Sequence, residues 1–87
     1  MADPQTYEEA LAQGYTPIED EDAFLAEHGL EAEEQARLSH FAKGLEVDCE
    51  TAPEGTKCFE WTYSDGTHKV CFCTAWKSCG KCAFKKL

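Results

Sequence analysis

Lys57-Cys58-Phe59-Glu60-Trp61-Thr62-Tyr63-Ser64-Asp65-Gly66-Thr67-His68-Lys69-Val70-Cys71-Phe72-Cys73 places two runs of aromatic, β-branched and polar residues on either side of one Asp-Gly pair. Asp-Gly is a favoured two-residue turn, so the stretch reads as a β-hairpin. With Asp65 and Gly66 as the turn residues, Tyr63 faces His68, Trp61 faces Val70, Phe59 faces Phe72 and Cys58 faces Cys73. Strand side chains alternate between faces. One face then carries Phe59, Trp61, Tyr63, Val70 and Phe72 and is expected to cover helices. The other carries Cys58, Glu60, Thr62, Lys69, Cys71 and Cys73, which presents three sulfurs on the side away from the aromatic rings.

Downstream, Ala75 to Ser78 turns the chain and delivers Cys79-Gly80-Lys81-Cys82, where glycine allows a tight bend between two sulfurs. A tail that returns across the polar face brings Cys79 and Cys82 toward Cys58, Cys71 and Cys73. In a reducing compartment, paired cysteines of this kind are metal ligands or redox groups more often than structural bridges. The leading expectation is therefore a Zn²⁺ site held by Cys71, Cys73, Cys79 and Cys82, with Cys58 as the substitute ligand; bound zinc adds folding free energy to a domain short of core. Six thiolates also suit an iron–sulfur cluster and electron transfer, although the spacings match none of the usual cluster patterns.

Three further readings compete. A framework of three disulfides has fifteen connectivities, with Cys58 facing Cys73 as one pair and Cys49 with Cys58 as another, closing a loop around Pro53-Glu54-Gly55. A precursor peptide, with an acidic helical leader and a modified cysteine-rich core, is suggested by the Thr and Ser residues that interleave with the cysteines. Thiol–disulfide oxidoreductase chemistry through Cys79 and Cys82 is the enzymatic alternative, with Lys77 and Lys81 lowering the thiolate pKa; the βαβ unit that usually carries the motif has no room here. His68, on the aromatic face, is poorly placed as the base of a cysteine protease.

Upstream, helices are marked by their ends. Thr6-Tyr7-Glu8-Glu9 has the form of a capping box, with Gly14 as the stop. Thr16 is the expected cap of a second helix, with Pro17 at its first position, Glu19 completing the box and His28-Gly29 closing it. A third helix is expected from Glu31 to Lys43, with Glu33 and Arg37 as a surface pair and Leu30, Leu38, Phe41 and Leu45 on one stripe. The four acids between Ile18 and Ala23 lack the glycine of a calcium loop and read as a solvated helix start. His28 and His40 read as a helix-end cation and an exposed or half-buried side chain rather than as metal ligands.

Charge divides the chain. Residues 1–48 carry thirteen acids against Arg37 and Lys43, while residues 49–87 carry four acids, six lysines and all six cysteines, which together give the net charge of −9. The expected organisation is an acidic helical segment, 1–48, and a Cys-rich hairpin segment, 49–87, forming one small α+β domain. Eighty-seven residues bury only roughly 60–65% of the unfolded surface, so a staple is expected. An acidic surface repels phosphate backbones and no apolar run approaches the length of a membrane span, which sets aside nucleic acid and bilayer as partners. Met1-Ala2-Asp3-Pro4 lacks a secretory n-region, and cytoplasmic residence follows as an expectation. The function expected is that of a non-catalytic, metal-stabilised binding or adaptor module. Its acidic residues Asp20, Glu21 and Asp22 meet a basic or helical protein, and self-association through open hairpin edges is a further expectation.

Overall fold

The computed structural model describes residues 4–31, 34–35 and 47–86. Its elements run in the order α1 (Tyr7–Ala12), β1 (Thr16–Pro17), α2 (Glu21–His28), β2 (Lys57–Thr62), β3 (Thr67–Cys73) and β4 (Cys79–Lys86). The four strands form one antiparallel sheet in the order β1-β4-β3-β2. This is the expected α+β class, but the hairpin is extended on one side by the tail and by an N-terminal edge strand. The third helix expected over Glu31 to Lys43 falls for most of its length outside the described residues, as do Arg37 and His40. Among the described residues no helix is long and apolar enough to cross a membrane.

The helix starts separate cleanly by their caps. Thr6 caps α1, its Oγ1 accepting from the Glu9 amide at 3.1 Å, while Glu9 Oε2 accepts from the Gln5 amide at 3.2 Å. The second helix begins later than its sequence suggests. Thr16 and Pro17 pair with Phe84 and Ala83 of β4, the Ile18 amide donates to the Cys82 carbonyl at 2.9 Å, and Asp20 caps α2 by accepting from the Ala23 amide. Proline has no amide to donate, so it suits the outer strand of a sheet as well as it suits a helix start. The sheet edge and the Asp20 cap together outweigh the Thr16 box.

The hairpin turns through three residues rather than two. Tyr63 pairs with Thr67, its amide donating to the Thr67 carbonyl at 2.8 Å, and the Gly66 amide donates to the Tyr63 carbonyl. Gly66 has φ of 91°, so Ser64-Asp65-Gly66 forms a three-residue turn closed by a glycine at positive φ. Register consequently differs by one residue from the two-residue expectation: Phe59 faces Cys71, Trp61 faces Lys69 and Thr62 faces His68. A one-residue slip exchanges the faces of one strand relative to the other. Val70 and Phe72 still oppose Cys71 and Cys73, but Phe59 and Trp61 now lie with the sulfurs.

Two bulges finish the register. Lys57 faces Phe72 and Phe59 faces Cys71, which leaves Cys58 as the extra residue of β2; Phe72 faces Lys81 and Cys73 faces Cys79, which leaves Gly80 as the extra residue of β4. A bulge re-aims the side chain it inserts, and Cys58 is thereby buried among the other sulfurs.

Every residue of β3 is buried because both faces of this central strand are covered. On one face Val70, Phe72 and Ala83 pack with Ala10 and Tyr15, and Tyr7 meets Phe72 edge-on at 5.9 Å. On the other face Cys49, Cys58, Phe59, Cys71, Cys73 and Cys82 form a second core. Beside it, Phe24 of α2 packs against His28 and Phe84 at tilted angles and meets Tyr63 edge-on, and His28 Nδ1 lies 3.1 Å from Asp65 Oδ2, tying the end of α2 to the hairpin turn.

Candidate functional site: three disulfides and the loop between two of them

The six cysteines pair completely, as Cys49–Cys73, Cys58–Cys79 and Cys71–Cys82. The Cys71–Cys82 bridge follows from strand geometry. Because the Cys82 carbonyl accepts from the amide of Ile18, the residue just after β1, Cys82 points its backbone polar groups away from β3, and Cys71/Cys82 is a pair without hydrogen bonds between its members. Such pairs bring side chains closest, and the Cα atoms are 4.0 Å apart. The other two bridges tie segments distant in sequence: Cys49, in a turn before β2, reaches the end of β3, and the bulged Cys58 reaches the start of β4.

These pairings favour the disulfide alternative over the zinc reading. The expected quartet Cys71, Cys73, Cys79 and Cys82, with Cys58 in reserve, is divided among all three bridges, and a disulfide sulfur is not the thiolate that zinc requires. The same division removes the thiolates an iron–sulfur cluster needs. Cys79-Gly80-Lys81-Cys82 is no knuckle but the opening of β4, its two sulfurs bonded to different partners. Cys58 does not bond to Cys73 or Cys49; the register slip moves Cys73 away from the position opposite Cys58, and Cys73 takes Cys49 instead. The expectation that the tail returns to bring its sulfurs to the hairpin agrees with the structure, with a strand in place of a loop.

Between the half-cystines Cys73 and Cys79 lies the loop Thr74-Ala75-Trp76-Lys77-Ser78. Thr74 organises it. The Thr74 amide donates to the Ser78 carbonyl at 2.8 Å, the Lys77 amide donates to the Thr74 carbonyl at 3.0 Å, and Thr74 Oγ1 accepts from the Trp76 and Ser78 amides at 3.2 and 3.3 Å. The Thr74 and Ser78 hydroxyls lie 2.9 Å apart. Lys77 sits at φ 60°, in the left-handed region that a lysine adopts at a cost. At the crest Trp76 is 87% exposed, the most solvent-facing of the large apolar side chains among the described residues. Sequence reading passed over Trp76. Its signal was an isolated indole between two cysteines with no strand partner to pack against.

The acidic residues expected to meet a partner are placed unequally. Asp20 is the cap of α2, and Glu21 Oε1 accepts from Lys69 Nζ at 2.8 Å, so both have work inside the fold; Asp22 is exposed. Lys69 itself is fully buried, its ammonium also 5.6 Å from the Phe24 ring centroid. His68 is buried too, with Nδ1 2.7 Å from the Thr62 hydroxyl. At the hairpin turn the Thr67 amide, donated to Asp65 at 2.9 Å, holds the Asp65 carboxyl below the usual carboxylate range, and the Thr67 hydroxyl and the His28 charge add to the effect.

Beside β1 and α2 runs an open groove of about 460 Å³. Pro17, Phe24 and Phe84 line it with apolar surface, while Glu19, Asp20 and Glu27 supply negative charge. Comparison with protein-family models, with curated proteins and with solved structures finds no match to this chain. The functional reading therefore rests on the geometry of the chain itself.

Proposed function

We propose that the protein is a disulfide-stapled, non-catalytic binding module that works in an oxidising environment and recognises a protein partner through the Thr74–Ser78 loop. The observation that carries this reading is Trp76, which exposes its indole at the crest of a loop pinned by hydrogen bonds and flanked by two half-cystines. An exposed indole is a large apolar surface that a partner can bury, and tryptophan is among the residues enriched at the energetic centre of interfaces. A loop already held in one conformation loses little entropy on binding. The neighbouring Lys77 supplies one positive charge, so the complementary surface is an apolar pocket with a carboxylate at its rim.

The oxidising environment is argued from chemistry. Three bridges that consume every cysteine persist outside reducing compartments, which replaces cytoplasmic residence as the preferred assignment. The groove beside α2 supports a second contact, in which a basic segment lays aliphatic carbons on Pro17 and Phe24 and its charge against Glu19 and Glu27. That keeps the adaptor idea in a form the acidic side chains can serve. With all six cysteines bonded to one another, none is left to cross-link a Thr or Ser, so the precursor-peptide reading draws no support.

The test is direct. A photo-activatable aromatic residue placed at 76 in the native host is expected to capture one discrete protein, and the same residue placed at exposed Thr62, at the far end of β2, is not. Equal capture from both positions, or none from 76, overturns the assignment of the loop.

A further inference from the structure

The Sγ atoms of Cys49, Cys58 and Cys73 all lie within 4.8 Å of one another, although they belong to two different bridges. Access to those bridges is unequal: Cys49, Cys58 and Cys73 are 7%, 5% and 0% exposed, whereas their fourth member, Cys79, is only half-buried. Lys77 and Lys81, two residues to either side of Cys79, are exposed and favour the approach of an anion. The third bridge, Cys71–Cys82, is buried at both ends.

We propose that Cys79 is an acceptor site for small thiols and that the adjoining bridge relays the opening to Cys49. An incoming thiolate attacks the Cys79 sulfur and forms a mixed disulfide there, breaking the Cys58–Cys79 bond and leaving Cys58 as thiolate. Cys58 then attacks the Cys73 sulfur, forming Cys58–Cys73 and releasing Cys49 as thiolate, which takes up the proton that the external thiol gave away. One external thiol is consumed, one protein thiol appears, and the number of disulfide bonds is unchanged.

The direction follows from solvation and chain entropy. A thiolate at buried Cys58 is disfavoured by its apolar surroundings, whereas Cys49 lies in a turn outside any strand, so no sheet ladder holds it once its bridge opens. The exchange also replaces a cross-link of sequence separation 24 by one between residues 58 and 73, which frees the longer loop. Its product unpins the turn at Cys49 from the end of β3 and leaves the loop carrying Trp76 joined to β2. The site therefore couples the thiol content of the medium to how the turn around Cys49 is held. This step rests on the bridges that the proposed function also assumes, and the experiment separates the two.

Full-length protein is treated with reduced glutathione at a few equivalents, quenched with an alkylating reagent, and mapped by peptide mass spectrometry. Expected are glutathione on Cys79, a new Cys58–Cys73 bridge, an intact Cys71–Cys82 bridge, and roughly tenfold more alkyl label on Cys49 than on Cys58. Glutathione on Cys79 with label on Cys58 and Cys49–Cys73 retained overturns the relay. So does simultaneous labelling of Cys71 and Cys82, which reports global reduction instead. In the Cys49→Ala/Cys73→Ala variant the label is expected to move to Cys58. If that variant does not fold, the time course of the natural chain decides, because label must reach Cys49 no later than it reaches Cys71. Six labelled cysteines before any glutathione is added overturn the stapled reading, and the relay with it.

Discussion

Lys69 is a charged side chain at the centre of the central strand, fully buried, with its ammonium against the carboxylate of Glu21. A buried ion pair is weak evidence for stability, yet removing one member leaves the other charge buried without that counter-charge. Glu21→Ala is expected to destabilise the fold by about 1–3 kcal/mol, below the roughly 3–5 kcal/mol of a fully buried pair because the Glu21 side chain is 36% exposed. Adding Lys69→Met should recover part of that loss, and urea denaturation of the single and double variants measures it. A double variant less stable than Glu21→Ala alone would show that Lys69 contributes by something other than this pairing. Asp65 gives the pH dependence. Its pKa is depressed in the folded state, so its contribution is present above the ordinary carboxylate range and disappears as pH falls through the folded value. The melting temperature of Asp65→Ala is therefore expected to lie below that of the natural chain at neutral pH, with the gap closing in acid. A gap that stays constant from neutral to strongly acid pH would remove the carboxylate from the explanation.

At the scale of elements, the hairpin is where sequence and structure part by a single residue. Asp65-Gly66 located the turn correctly, but the choice between a two-residue turn and a three-residue turn ending in a glycine at positive φ is set by what the strands do beyond it. Here the disulfides, the two bulges and the aromatic contacts of Tyr63 with Phe24 all favour the register in which Phe59 faces Cys71. Gly66→Ala puts a side chain at φ 91° and is expected to cost about 1–2 kcal/mol, read as a lowered urea midpoint with unchanged slope. Thr74→Val should act on the recognition loop instead. Removing the hydroxyl that accepts from two amides is expected to speed hydrogen exchange at Trp76 and Ser78 while leaving the β3 amides protected. Protection that is unchanged at both amides would mean the loop is held by its backbone bonds alone. The start of α2 was misread for a related reason: Thr16-Pro17 carries a good helix signal, and only the presence of β4 alongside makes a strand of it.

For the whole molecule, the bridges supply what a short chain lacks. Closing loops of 24, 21 and 11 residues removes about 3 kcal/mol of unfolded-chain entropy for each bridge taken alone, with overlap between the loops reducing the sum. Full reduction by dithiothreitol is therefore expected to unfold the sheet at temperatures where the oxidised chain is folded. Circular dichroism in the two states checks this; a reduced chain that keeps its β signal and cooperative melting would show that the apolar faces suffice. Composition, the division of charge, the strand alternation, the Thr6 cap and the convergence of the carboxyl-terminal sulfurs were all legible in the sequence, because each depends on neighbours within a few residues or on strand period. Which sulfur bonds which, the edge strand at Thr16–Pro17, and the burial of Lys69 were decided only in three dimensions. Each depends on contacts between residues tens of positions apart, where one extra residue in a turn or a bulge moves a side chain to the other face of the sheet.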